Sequence, residues 1–402
     1  MVASILAVTT TLIIWALLAT KLERWRISPP VVVVAAGALV GATTQGSIIG
    51  DALNTKVALH TAEIVLAILL FLDATDVKGG LLGRNPAAAL RLLLIAMPLS
   101  LAAAVVLGMW VLPGYGWAVM LVIACVIVPI DFAPASAILR DRRIPVRVRN
   151  ILNVESGYND GIISPLFIFA LILAGDLTQS QTPAQALATA LPAAAKAIGV
   201  GVGTGAVLAF LINRADRAKL MNPQAKRMVL VAAPLLTYAL STGIDGNGFV
   251  AAFVCGLVIH RFREPEEHRR ELELLEDVGF LLTIVMWFAF GVVAVYILAE
   301  VADWRVWLLS AAVLTVIRIG PVLLSLTGSG LTPIENVLIG LLGPRGTTSI
   351  VFALLAFNQL PDSAAELALT VMVVTVSASV VLHGVGSLLT ARGYQRRSGR
   401  AA

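Results

Sequence analysis

The sequence predicts an all-α polytopic membrane protein of about thirteen transmembrane helices, folded as an inverted repeat whose two broken helices cross at the midplane. Three observations predict it: an apolar composition without polar linkers, an alternation of basic loops, and two helical runs interrupted around charged residues. Of the 402 residues, 58% are hydrophobic and 13% are charged, against about 45–50% and about 25% in ordinary soluble domains. A single soluble core rarely grows past about 250–300 residues. No polar segment divides this chain into soluble domains, so its apolar residues must face lipid.

Crossing about 30 Å of hydrocarbon takes roughly 20 apolar residues in a helix. Thirteen runs bounded by polar or Pro/Gly clusters meet or approach that length: Ser4–Thr20, Val31–Ile49, Leu59–Val77, Ala87–Leu112, Trp117–Leu139, Ile151–Leu173, Leu187–Leu211, Met228–Ser241, Phe249–Ile259, Val278–Leu298, Trp304–Leu326, Ile334–Phe357 and Leu367–Thr390. The eighth and ninth are short, which predicts either extension into their flanks or half-helices. The first run has no basic stretch before it, and Lys21, Arg24 and Arg26 follow it. That order marks a retained helix and not a cleaved signal.

Basic residues beside membrane helices stay in the cytoplasm, which tests the helix count independently of hydropathy. The odd-numbered connections carry Lys21, Arg24 and Arg26; Lys78, Arg84 and Arg91; Arg140, Arg142, Arg143, Arg147 and Arg149; Arg214, Arg217, Lys219, Lys226 and Arg227; and Arg261, Arg263, Arg269 and Arg270. The even-numbered ones carry only Lys56 and Arg305, and Arg392, Arg396, Arg397 and Arg400 follow the last helix. The expected topology in the prokaryotic plasma membrane is N-terminus outside, C-terminus cytoplasmic.

The fifth run contains Val128-Pro129-Ile130-Asp131-Phe132-Ala133-Pro134, where two prolines remove amide donors around an acid. The twelfth contains Leu342-Gly343-Pro344-Arg345-Gly346-Thr347-Thr348-Ser349. Broken backbone at membrane depth is tolerated only where it faces protein or a cavity. Helices five and twelve are seven apart and therefore cross in opposite directions, the arrangement of an inverted repeat with a midplane site. Helices one to six pair with eight to thirteen, and the seventh connects them.

An ionised side chain at the bilayer centre costs about 2.5–3.5 kcal/mol, so each needs a partner or a task. Five such residues converge in the predicted topology: Asp131 in helix five, Glu155 and Asp160 in helix six, Arg318 in helix eleven and Arg345 in helix twelve. Glu155/Asn159 and Ser156/Asp160 are each four apart and stack on one helix face. Three negative and two positive charges leave a surplus of one negative. That surplus suits one monovalent cation or one proton but not both, and mutual exclusion at one acid is all that exchange requires. Carboxylates, the Ser156 hydroxyl, the Asn159 amide oxygen and freed carbonyls are hard oxygen donors suited to alkali ions. Glu155 with Arg318 reads as a structural pair. Arg345 is either a neutraliser of the broken helix ends or an alternative partner for Glu155. Asp131 is either a ligand or a cap on freed amides. Glu63, Asp73 and Asp76 in or beside helix three face a vestibule or the interface. His60, His260, His268 and His383 read as helix-end residues, with His260 and His268 in a basic loop as candidates for pH sensing.

Several function classes are disfavoured. The net charge of +5 is spread in short bursts and not along one face, unlike a nucleic-acid binder. Cys125 and Cys255 lie in apolar runs without metal or redox spacing. No Gly-x-x-x-x-Gly-Lys run exists for ATP, and no cofactor is implied. An intramembrane aspartyl protease built on Asp160 and Asp245 lacks the Tyr-Asp and Gly-x-Gly-Asp stretches. A cation channel needs a continuous pore, whereas two opposed breaks point to alternating access. A symporter of organic acids would need surplus positive charge.

These residues resemble the NhaP-type sodium/proton antiporters, prokaryotic relatives of the sodium/hydrogen exchangers. The resemblance rests on Leu70-Phe71-Leu72-Asp73-Ala74, Pro129-Ile130-Asp131, Arg147-Val148-Arg149 ahead of Glu155-Ser156-Gly157-Tyr158-Asn159-Asp160-Gly161, Gly248 to Phe253, Trp287 to Gly291, and Gly343-Pro344-Arg345-Gly346 before Ser349 to Ala353. It implies a sodium/proton antiporter fold and a homodimer, with interface layers at 1–86 and 214–300, a transport core at 87–175 and 301–392, a linker helix at 176–213 and a cytoplasmic tail at 393–402. It implies that Asp160 is the shared acceptor of H+ and Na+ (or Li+), that Asp131 and Ser156 help as ligands, and that Glu155 bridges to Arg318. In this family an Asn-Asp pair accompanies electroneutral one-for-one exchange, which Asn159-Asp160 therefore implies here. The family usually has threonine where Ile130 stands, so the resemblance leaves the order among lithium, sodium and potassium open, K+/H+ exchange included.

Overall fold

The computed structural model describes residues 2–25, 27–44, 53, 55–75, 82–175, 182–263 and 265–398. Asp76 and Lys78 and the side chains of His268 and Arg269 lie outside the described residues, so their predicted roles find no geometry here.

All regular structure among the described residues is helical. Joining segments that continue one another, the helices are α1 (Val2–Arg24), α2 (Pro29–Gly41), α3 (Lys56–Thr75), α4 (Pro86–Val111), α5a (Trp117–Ile127) with α5b (Ala137–Arg140), α6 (Val146–Gly175), α7 (Pro183–Arg217), α8 (Pro223–Thr242), α9 (Gly248–Phe262), α10 (Pro265–Glu300), α11 (Trp304–Ser325), α12a (Pro333–Leu341) with α12b (Thr347–Gln359), and α13 (Asp362–Ser398). The described part of each predicted run falls on one of them; residues 45–49 of the second run and 76–77 of the third lie outside the described residues. Seven are long and apolar enough to cross a bilayer outright. The short eighth run grows at its N-terminus to Pro223, capped by Asn222. Lys226 and Arg227, too polar to count as a span, are held there by ion pairs to Asp216 at 2.5 Å and Glu273 at 2.6 Å. The ninth remains short at 15 residues.

Prolines shape the interior of several helices by withholding an amide from the carbonyl four residues earlier. In α4, Pro98 follows a π-turn over Leu92–Ala96, the local form a helix takes when its ladder loses a rung. In α11, Pro321 withdraws the donor for the Ile317 carbonyl, and the Ser100 hydroxyl of α4 donates to that oxygen at 2.9 Å. The helix α11 is also interrupted at Thr315. The two helices that correspond across the inverted repeat are thus both irregular where they meet.

Two groups of helices pack among themselves. In one, α2 lies on α10 and α9 on α3, α7 and α8; in the other, α4, α5a, α6, α11, α12 and α13 enclose the broken segments. The α2–α10 contact is backbone against backbone. A Cβ on Gly291 would run into the Val34 carbonyl, and one on Gly37 into the Phe288 carbonyl. Neither carbonyl can swing aside, so Gly291→Ala is expected to cost about 1–3 kcal/mol by overpacking, seen as a lower midpoint of thermal unfolding in detergent.

Candidate functional site

The site is built where α5 and α12 are broken. The ladder of α5a stops at Ile127 and that of α12a at Leu341, leaving carbonyls of both last turns without amide donors. The two unwound stretches cross in contact, with the Asp131 amide donating to the Pro344 carbonyl at 2.9 Å.

Arg345 serves the freed carbonyls. Its side chain, 1% exposed, donates from Nε to Ile127 O at 2.7 Å, from Nη1 to Gly343 O and from Nη2 to Val313 O at 3.4 Å. One guanidinium therefore braces the ends of α5a and α12a and the irregular turn of α11. Positive charge at helix C-termini is the favourable sign. These contacts are to helix ends, whereas the ion pair of Glu155 is with Arg318. Those two meet in a bidentate fork, Nη1 on Oε1 and Nη2 on Oε2 at 2.8 Å, with Nη2 also donating to Ile339 O at 3.2 Å.

Asp131 serves the opposite end of the break. Oδ1 accepts from the Ala133 amide at 2.7 Å and Oδ2 from the Thr347 amide at 2.6 Å, and the Thr348 amide and Thr347 hydroxyl also reach the carboxylate. It is the N-cap of α12b supplied from another helix, with the negative charge that a helix N-terminus favours. Asn159 is likewise committed: Nδ2 donates to the Ile130 carbonyl at 2.7 Å and Oδ1 accepts from the Asp160 amide at 2.6 Å. Ser156 donates to the same Ile130 carbonyl at 3.4 Å. The feature of Ile130 used here is its carbonyl, which any residue would supply.

Asp160 differs from its neighbours. It is 2% exposed, its Oδ1 has no hydrogen-bond partner, and its carboxylate is met by the Thr348 hydroxyl and the like charge of Asp131. Among the described residues, no cation lies within ion-pair distance of it. Thr347 and Thr348 are site residues that sequence reasoning quoted within a motif but gave no role. Their signal was position, at the first turn of a helix restarting inside the membrane.

A cavity of about 820 Å³ leads to this cluster. Its lining includes Asp131, Ser156, Gly157, Thr347 and Thr348 at the broken helices, Asp73 and Glu276 along its walls, and Arg140, Asp141 and Arg142 of the α5b–α6 connection. Asp73 thus faces the vestibule, one of its two predicted places, while Glu63 holds His60 at 3.0 Å. His383 departs from expectation. It is no helix-end residue but is buried within α13, its ring against the Leu341 carbonyl at 3.2 Å and the Ser379 carbonyl at 3.0 Å. Lys196, a cation inside the seventh run, donates from its ammonium to the Ile244 carbonyl at 2.8 Å. Cys125 and Cys255 are free and buried, as their apolar settings predicted.

The sodium/hydrogen exchanger transmembrane family matches residues 7–389 of the chain. The chain belongs to that family. Among curated relatives of the chain, a K(+)/H(+) antiporter NhaP from Alkalimonas amylolytica is 27% identical over 371 residues, covering 89% of this chain and 61% of the relative. A Na(+)/H(+) antiporter from Schizosaccharomyces pombe is 23% identical over 52% of this chain and 45% of its own length. The chain thus spans roughly half to three-fifths of these relatives' lengths. In solved structures the same fold occurs in the sodium proton antiporter MjNhaP1 from Methanocaldococcus jannaschii at pH 8, with a TM-score of 0.79 at 20% identity, covering 97% of this chain and 98% of that one. The chain is therefore an integral membrane protein of the NhaP antiporter fold, as the motifs predicted.

Proposed function

We propose that this protein is a secondary antiporter that moves one monovalent cation, sodium first and lithium with it, against one proton. Asp160 is the group that carries either ion. The observation that bears this reading is the contrast within the cluster: Glu155 is paired with Arg318, Asp131 and Arg345 are spent on helix ends of opposite sign, and Asp160 alone keeps an unpartnered oxygen. A carboxylate so placed is neutralised by a proton or by a cation, and binding either one removes the charge that attracts the other. Ser156 and Asp131 stand at the vestibule side of Asp160 as candidate ligands; Asn159 contributes by holding the Ile130 carbonyl and the Asp160 amide in place.

In this reading α4–α6 and α11–α13 form the moving core and α1–α3 and α8–α10 the interface layer of a homodimer, with α7 as the linker. The vestibule, flanked by the basic α5b–α6 connection, opens to the cytoplasm of a prokaryotic cell. The boundary between the two groups runs through Phe253 of α9, whose ring lies edge-on to Tyr158 at 5.8 Å. No cofactor takes part, since the two ion gradients supply the free energy. The K(+)/H(+) names of the Alkalimonas and Shewanella relatives favour potassium as the second reading for the cation.

The test is reconstitution into liposomes with an imposed pH gradient, following internal pH as sodium, lithium or potassium is added. Sodium and lithium are expected to collapse the gradient, and a response to potassium alone moves the assignment to the second reading. One-for-one exchange carries no net charge, so clamping the voltage with potassium and valinomycin should leave the sodium-driven rate unchanged. A clear voltage response contradicts the stoichiometry, and no proton movement with any cation contradicts the function.

A further inference from the structure

One turn beyond Asp160 on α6 lies Ser164, four residues on and so on the same stripe as Ser156 and Asp160. Its side chain is 0% exposed, and its hydroxyl has no hydrogen-bond partner, not even the carbonyl of its own preceding turn. A buried polar atom without a partner costs roughly 1–3 kcal/mol, and helical serines ordinarily avoid that cost by bonding back along the helix. Helical side chains lean toward the N-terminus. Ser164 therefore leans toward Asp160, whose Oδ1 is the other unpartnered oxygen on this stripe.

The two unpartnered oxygens share one face of α6, and α12b packs along that helix. The Thr348 hydroxyl of α12b meets the Asp160 carboxylate, and Phe167 of α6 stacks on Phe352 of α12b with ring centroids 4.5 Å apart. The helices α6 and α12b thus run side by side in the same direction, joined at the level of Asp160 and again at the aromatic pair. Ser164 lies between those levels. The vestibule lining reaches Ser156 and Thr348 but includes neither Asp160 nor Ser164. Along α6 the serine lies one turn past the carboxylate, on the opposite side from Ser156, with the aromatic pair of Phe167 and Phe352 one further turn on.

Resting on the function proposed above, we propose that the Ser164 hydroxyl is a ligand of the transported cation. With the free oxygen of Asp160 it forms the half of the coordination shell that faces away from the vestibule. A hydroxyl offers lone pairs to a hard alkali ion, and a cation stripped of water needs oxygens on that side as well as on the side of Ser156. The substrate class is a small dehydrated monovalent cation, sodium or lithium.

The experiment compares the parent, Ser164→Ala and Ser349→Ala by two measurements: exchange in proteoliposomes, and thermal stabilisation of the purified full chain as cation is titrated. Ser349 is an equally buried, unpartnered serine, turned about 100° around α12b from Thr348, and controls for loss of any buried hydroxyl. For Ser164→Ala the half-saturating sodium concentration is expected to rise about tenfold in both measurements, the scale of one lost bond to a charged group. The saturating rate should stay near the parent value, and the unfolding midpoint without cation should equal or exceed the parent's, because a buried hydroxyl without a partner is removed. The proposal is overturned if Ser164→Ala keeps the parent's half-saturating concentration in the stabilisation assay, or if Ser349→Ala shifts it equally. The stabilisation assay reads binding without transport, so a parent that binds sodium but exchanges nothing counts against the proposed function and not against the ligand assignment.

Discussion

Asp160→Asn is expected to abolish exchange of every cation in proteoliposomes, with a loss of at least about a hundredfold, while the protein still folds. The amide fills nearly the same volume and keeps an oxygen for the Thr348 hydroxyl, so the cluster is not emptied. What disappears is the charge that cation and proton compete for. A buried site with only dipoles cannot compensate a dehydrated cation as an ionised carboxylate does. Expression, elution volume and unfolding midpoint should match the parent, which separates this loss from misfolding. An asparagine variant that exchanged sodium at the parent rate would remove Asp160 from the mechanism.

The second large effect belongs to stability. Arg318→Ala strands Glu155, a 3% exposed carboxylate whose fork closes on that guanidinium, and it also strips a donor from the Ile339 carbonyl. Breaking a buried pair by removing one partner costs about 3–5 kcal/mol, a large share of the marginal stability of most folds. The expected result is a sharply lowered unfolding midpoint or poor recovery from the membrane. Replacing both partners, as in Glu155→Gln with Arg318→Met, should regain much of it, because apolar or neutral substitutes for a buried pair are often close to neutral. The double-mutant cycle of Glu155→Gln, Arg318→Met and their combination should give a coupling of about 2 kcal/mol or more. If the single and double variants lost stability additively, the two residues would not be acting as a pair.

Much of the architecture is legible in the sequence because lipid imposes it. A span needs an unbroken apolar run, so twelve connections show themselves as polar punctuation. Pro129, Pro134 and Pro344 announce the interruptions before any coordinates are known. The stripe Glu155–Ser156–Asn159–Asp160 follows from helical spacing alone, and Cys125 and Cys255 are correctly discounted by their settings.

What sequence could not show is which partner each polar group takes when the partner is backbone. Arg345 could have met Glu155, and it instead meets the carbonyls of Ile127, Gly343 and Val313. Every residue has a carbonyl, and only the fold decides which are orphaned. The same holds for Asp131, spent on the amides of Ala133 and Thr347, and for His383, whose ring inside α13 meets the carbonyls of Ser379 and Leu341. Thr315 interrupts α11 with no proline or glycine at that position to signal it. Thr348 and Ser164 drew no attention because hydroxyls are common in membrane helices. Their meaning lies in being beside an acid with a spare lone pair.

Proton release on cation binding examines the central claim most directly. Sodium is added to the purified protein in weakly buffered detergent solution, and the protons set free are counted against the sodium bound. Near the pH where the site is mostly protonated, the ratio should approach one proton per chain, fall toward zero as the solution is made alkaline, and vanish in Asp160→Asn. Sodium binding with no proton released at any pH, or an undiminished release from the asparagine variant, would contradict a single carboxylate shared by the two ions.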